Sequence, residues 1–73
     1  MNYKIKISDH GTLKGVPLAF VEILHDNNTV GYAMVTVNEI VRVSAEDPYT
    51  EKNIWSAVEQ HEQVIDNFLR RNA

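Results

Sequence analysis

The sequence predicts a small α+β domain. It consists of a three-stranded antiparallel sheet, four-stranded if one ambiguous segment joins it, packed against a long C-terminal helix with a short helix before it. Three observations carry this prediction. Tyr3-Lys-Ile-Lys-Ile-Ser8 alternates apolar and polar residues with period two, as a half-buried strand does. Two apolar runs, Pro17–His25 and Val30–Val37, flank the turn signal Asp26-Asn27-Asn28-Thr29. From residue 50 to about Arg71, apolar residues recur at helical spacing.

The first strand is expected over residues 2–8, with Tyr3, Ile5 and Ile7 on one side and Lys4, Lys6 and Ser8 on the other. Its lysines suit a sheet edge, where charge discourages unwanted pairing. Asp9–Gly15 holds two glycines and reads as a loop, with His10 solvated in it. Strands over 17–25 and 29–36 follow. Placing Asn27-Asn28 at the tip, or using a four-residue loop, sets Val21 against Met34 and Ile23 against Tyr32 on one face. Phe20 against Val35, Leu18 against Val37 and Leu24 against Gly31 occupy the other. Both faces are then apolar, and two apolar faces call for two covers. The long helix supplies one. It takes either Val21, Ile23, Tyr32 and Met34 or Leu18, Phe20, Leu24 and Val35, and leaves the other set for a partner.

Residues 36–44 admit two readings. Thr36-Val-Asn-Glu39 has the pattern of a capping box, which favours a short helix running to about Val43. The β-branched Ile40, Val41 and Val43 would equally make a fourth strand over Ile40–Ser44. Next come two start signals for the long helix: Asp47 as cap with Pro48 at the first position, or Thr50 as cap before Glu51. The helix is expected from about 50 to 71. Its stripe is Ile54, Val58, His61, Ile65 and Phe68, flanked by Trp55, Ala57, Val64 and Leu69. Glu51 near its start and Arg70 and Arg71 near its end complement the helix dipole.

Composition narrows the functional classes. Seventy-three residues make one domain, 1–73, and 44% apolar with 23% charged residues is the balance of a folded chain. With no cysteine, neither a disulfide nor a thiolate metal site is available. Net charge is −3, and the basic residues are scattered, with Lys4, Lys6 and Lys14 toward one end, Arg70 and Arg71 at the other and Arg42 and Lys52 between, a poor footprint for a nucleic-acid binder. No apolar run approaches the roughly 18 residues of a membrane span. Met1-Asn-Tyr-Lys-Ile-Lys lacks the apolar core of a secretion signal and reads as an intact start, so the expected location is cytoplasmic.

Val16-Pro-Leu-Ala-Phe20, Val35-Thr-Val-Asn-Glu-Ile40 and Val58-Glu-Gln resemble a family of short bacterial proteins of unknown function. That family has an N-terminal strand, a hairpin and two helices. The chain departs from its pattern at Asn27-Asn28, which replaces a glycine-containing turn, and at Ala33-Met34, where a cysteine is often seen. The resemblance implies no activity.

The polar constellations read as structural. His61 has no second metal ligand at three or four residues' distance, and the place for a Glu-x-x-His carboxylate holds Val58. Asp26, next to His25, reads as a turn-closing residue. Glu22 lies on an otherwise apolar face, so it either points out at a sheet margin or pairs across an interface with a lysine, and a partner or water is required. Glu59, Glu62 and Asp66 form an acidic ridge on the outer face of the long helix. There is no phosphate loop, catalytic triad or metal cluster, so neither enzymatic activity nor a cofactor is expected. The expected role is a non-catalytic interaction or regulatory domain acting through an exposed sheet face, with a protein partner, foremost a second copy. The alternative is an acidic inhibitor or nucleic-acid mimic that binds a basic partner through the long helix. The candidate surface comprises Val21, Ile23, Tyr32, Met34, Glu59, Glu62 and Asp66.

Overall fold

The computed structural model describes residues 3–72, and for residues 48 and 49 the backbone alone. Four strands, β1 (Lys4–Leu13), β2 (Val16–His25), β3 (Asn28–Thr36) and β4 (Ile40–Ala45), are followed by helices α1 (Pro48–Gln60) and α2 (Glu62–Arg71). The sheet is an antiparallel meander in the order β1-β2-β3-β4. The helices cover one face, α1 over β3 and β4 and α2 over β2 and β3. The α+β class is as the sequence predicts. The expected start of the first strand at residue 2 lies outside the described residues.

The loop expected at Asp9–Gly15 is instead the second half of β1. Only Lys14 and Gly15 turn, with φ of 51° and 82°, the two positive values that a tight two-residue hairpin loop requires. A bulge at Ser8, whose hydroxyl donates to the Phe20 carbonyl at 3.1 Å, shifts the register so that Asp9 opposes Phe20 and His10 opposes Ala19. The shift carries His10 to the helix side, where its ring meets Phe68 edge-on at 5.6 Å. Of the two glycines that suggest a loop, Gly15 turns and Gly11 is absorbed by the strand, where the Phe20 ring lies 4.0 Å from the place a β-carbon would take.

The second turn corrects the register predicted for the central hairpin. Asp26 and Asn27 form the tip, with φ of 53° and 67°, so His25 opposes Asn28. An irregularity after Ile23 leaves Val30 as the extra residue, and from there Ile23 faces Gly31, Val21 faces Ala33 and Ala19 faces Val35. A one-residue change of register exchanges the faces of one strand relative to the other. The expected sets are therefore mixed. Val21 and Ile23 share the helix side with Ala33 and Val35, while Leu18, Phe20, Glu22 and Leu24 share the opposite side with Tyr32 and Met34.

The short helix expected after Thr36 is overturned, and the segment is the fourth strand. The hydrogen bond that suggested a capping box does form, since the Thr36 hydroxyl accepts from the Glu39 amide at 3.2 Å and from the Asn38 amide at 3.3 Å. It closes a three-residue hairpin loop, in which the Thr36 amide donates to the Glu39 carbonyl at 2.9 Å. Tertiary pairing with β3 lets the β-branched run extend. Val41 is the bulged residue that brings Ile40 and Val43 onto the core side.

Of the two start signals for the helix, Asp47 is the cap. Its carboxylate accepts from the Thr50 amide at 2.8 Å and the Thr50 hydroxyl at 3.0 Å, with Pro48 at the first position. The expected single helix is broken at His61, where φ −106° and ψ 16° depart from helical values. The His61 ring reaches back to the Ala57 carbonyl at 2.8 Å. A carbonyl only accepts, so Nδ1 carries the proton of that bond.

The core lies between the helices and the sheet. Ile23, Ile54, Ile65, Leu69, Val21 and Val58 are its largest fully buried members, and burying each such side chain contributes roughly 1.5–3 kcal/mol. Small residues on the sheet's inner side, Ala19, Gly31 and Ala33, let the helices approach closely. Val64, expected to flank the buried stripe, is 56% exposed.

Candidate functional site

Two surfaces emerge from this arrangement. The first is the sheet face opposite the helices. Its rows follow from the register. Lys6, Glu22, Tyr32 and Ser44 lie side by side across the four strands, as do Asp9, Phe20, Met34 and Arg42. Tyr32 is 54% exposed, and Phe20, Leu24 and Met34 are half-buried. No helix packs on them, because the apolar residues against the core cluster are those of the other face. Glu22, the lone carboxylate of the β2 run, opposes Lys6 in the register, so a cation stands next to it on the same face. The rim is charged and mixed in sign, with Lys4, Lys6 and Asp9 along β1 and Arg42 on β4.

Of the four sheet residues predicted for an interaction surface, Tyr32 and Met34 lie on this face. Val21 and Ile23 do not: at 1% and 0% exposure they are core residues beneath the helices. The physical reason is the bulge at Val30, whose extra residue turns Tyr32 and Met34 to the face opposite Val21 and Ile23; the tighter Asp26-Asn27 tip alone would have kept the four together. Phe20, Leu24 and Arg42 take their place on the open face.

The second surface is a cleft of about 230 Å³ where the helices meet the β3–β4 loop. Val35, Val58 and Thr36 are buried at its floor. Trp55, 43% exposed, forms a wall. Glu59, Glu62 and Asp66 border it together with Glu39 of the loop. The acidic ridge expected on the outer face of the helix thus borders a concavity. Trp55 and Glu59, four residues apart, share a face of α1, and Glu62 and Asp66, four residues apart, share a face of α2, so the junction at His61 brings the two pairs to one cleft. From the sequence Trp55 is expected only as a flank of the buried stripe and Glu39 only as part of a capping box, and the fold brings both to the cleft.

The histidines remain apart. His61 is held by its own helix, His10 by Phe68, and His25 lies beside Tyr3 with ring centroids 5.4 Å apart. His25 Nδ1 stands 3.7 Å from the Asp26 carboxylate, itself 85% exposed on the turn. Separation this long in water contributes little. Among the described residues, no three His, Asp or Glu side chains are grouped to hold a metal ion. No helix of the described chain is long and apolar enough to cross a membrane.

The chain matches no family model, and no curated protein or solved structure matches it.

Proposed function

We propose that this protein is a non-catalytic interaction domain that works through the sheet face opposite its helices, and that it pairs there with a second copy of itself. The observation that carries this reading is Tyr32, 54% exposed amid half-buried Phe20, Leu24 and Met34 on a face that no helix among the described residues covers. Contiguous apolar surface of this kind marks interaction sites. Both charge signs occur on the face, with Glu22 between Lys6 and Tyr32 and Arg42 at the far strand. A two-fold arrangement can therefore set cations of one copy against carboxylates of the other.

The dimensions set the strength. The Cα trace spans 31 × 19 × 17 Å, so each copy offers only one small sheet face to the other. Stable interfaces bury roughly 800 Å² per partner. The dimer is accordingly expected to be weak and concentration-dependent, a property suited to a reversible regulatory contact. Light scattering and sedimentation from micromolar to millimolar protein test this. The mass should rise from 8.3 kDa toward twice that value, and Tyr32→Lys or Met34→Lys should return it to the monomer without loss of helical circular dichroism. A constant 8.3 kDa across the range would remove the proposal.

A further inference from the structure

The acidic cleft lies away from the sheet face, on the helix side, and holds an independent clue. We infer that it receives the side chain of one arginine presented by a protein partner. The side-chain chemistry is complementary throughout. Four carboxylates, those of Glu39, Glu59, Glu62 and Asp66, border the cleft, and no lysine or arginine lines it. Arg70 is one helical turn from Asp66 in sequence, yet no ion pair joins them among the described residues. Negative charge here is left without a cation from the lining.

The indole and the floor narrow the class of cation. Trp55 is the single tryptophan of the chain and stands partly open beside the carboxylates. A guanidinium is planar, stacks on an indole face and donates in a fork to carboxylates, whereas an ammonium is a compact and strongly hydrated charge. The apolar floor of Val35 and Val58 suits the aliphatic stem of the same side chain. A hydrated metal ion would use neither the indole nor the floor, and the carboxylates are not grouped as metal ligands. The volume of about 230 Å³ is below the roughly 300–1,000 Å³ of pockets that engulf a whole small molecule. It fits one long side chain. Nucleic acid is repelled by the sign of the charge.

Titration of the ¹⁵N-labelled protein with acetyl-Gly-Gly-Arg-Gly-Gly-amide and its lysine counterpart tests the inference, with the Trp55 indole resonance and fluorescence as local reporters. The arginine peptide is expected to shift resonances of residues 36–40 and 55–66 and to bind more tightly than the lysine peptide. Replacing Glu59→Gln, Glu62→Gln and Asp66→Asn together should weaken it roughly tenfold, and added salt should weaken it further. Trp55→Leu should remove the preference for arginine over lysine. Glu59 and Glu62 are exposed, so if the triple variant failed to fold, the Glu59→Gln, Glu62→Gln pair is the substitute. Any of three results overturns the inference: no shifts at millimolar peptide, shifts centred on another surface, or equal binding of the two peptides by the unmodified protein.

Discussion

Gly31→Ala is the most discriminating perturbation this fold offers. Gly31 is buried on β3 opposite Ile23 and Ala45. A β-carbon built on it would overlap the Ile54 Cδ1 atom of α1 and stand 2.8 Å from the Ser44 carbonyl oxygen of β4. Neither neighbour gives way easily: Ile54 is 0% exposed, and the carbonyl belongs to the paired backbone of the sheet. Overpacking a filled core costs about 1–3 kcal/mol. Replacing a strand glycine returns about 0.5–1 kcal/mol through chain entropy. A net loss of about 1–2 kcal/mol is expected, a large part of the roughly 4–11 kcal/mol that a chain of this length retains. The melting temperature should fall by roughly 5–15 °C. Urea denaturation followed by far-ultraviolet circular dichroism measures the change, and Ile54→Val separates its causes. That substitution deletes the overlapped methyl at a cost of about 0.5–1.5 kcal/mol on its own. In its background Gly31→Ala should cost about 1 kcal/mol less than in the parent, leaving the contributions of the Ser44 carbonyl and of the γ-carbon that residue 54 retains. An equal penalty in both backgrounds, or none in the parent, would refute the close approach of α1 to β3.

Three further substitutions probe the turns and the cap. Asp47→Ala removes the carboxylate that holds Thr50 and should cost about 1 kcal/mol of stability, read as a lower urea midpoint with unchanged slope. Thr36→Val leaves the amides of Asn38 and Glu39 without their acceptor in a site only 7% exposed, so a loss of about 1–3 kcal/mol and faster amide exchange in residues 37–39 are expected. Lys14→Asn, at φ 51° before Gly15, creates the Asn-Gly pair that such hairpin loops prefer. It should raise stability by about 0.5 kcal/mol, and a decrease would contradict the assigned turn.

Where local chemistry and tertiary context agree, the elements were legible from residues alone. The alternation of Tyr3–Ser8, the apolar runs of β2 and β3 and the helical spacing from Ile54 to Leu69 all depend on period, which burial of one face imposes directly. Asp47 was among the caps expected because its side chain acts within three residues of itself. At Thr36 the local bond was anticipated and its consequence was not. A hydroxyl accepting from the amide three residues on is shared by helix caps and tight loops, and only pairing with β3 distinguishes them.

Thus the sequence by itself determined the α+β class, the order of its three leading strands and closing helical region, and the core residues that the helical region contributes. Tertiary structure alone decided which apolar residues share a face. Side chains alternate with period two, so the single extra residue at the Val30 bulge exchanges inside for outside along β3, which the move of the tip to Asp26-Asn27 does not do by itself. Such a choice rests on the close approach of Ile54 to Gly31 and of α1 and α2 to Ala19 and Ala33, contacts between residues far apart in the chain. The same long-range packing gathers Glu39 and Trp55 with Glu59, Glu62 and Asp66 around one cleft. No periodicity within a single element encodes that gathering.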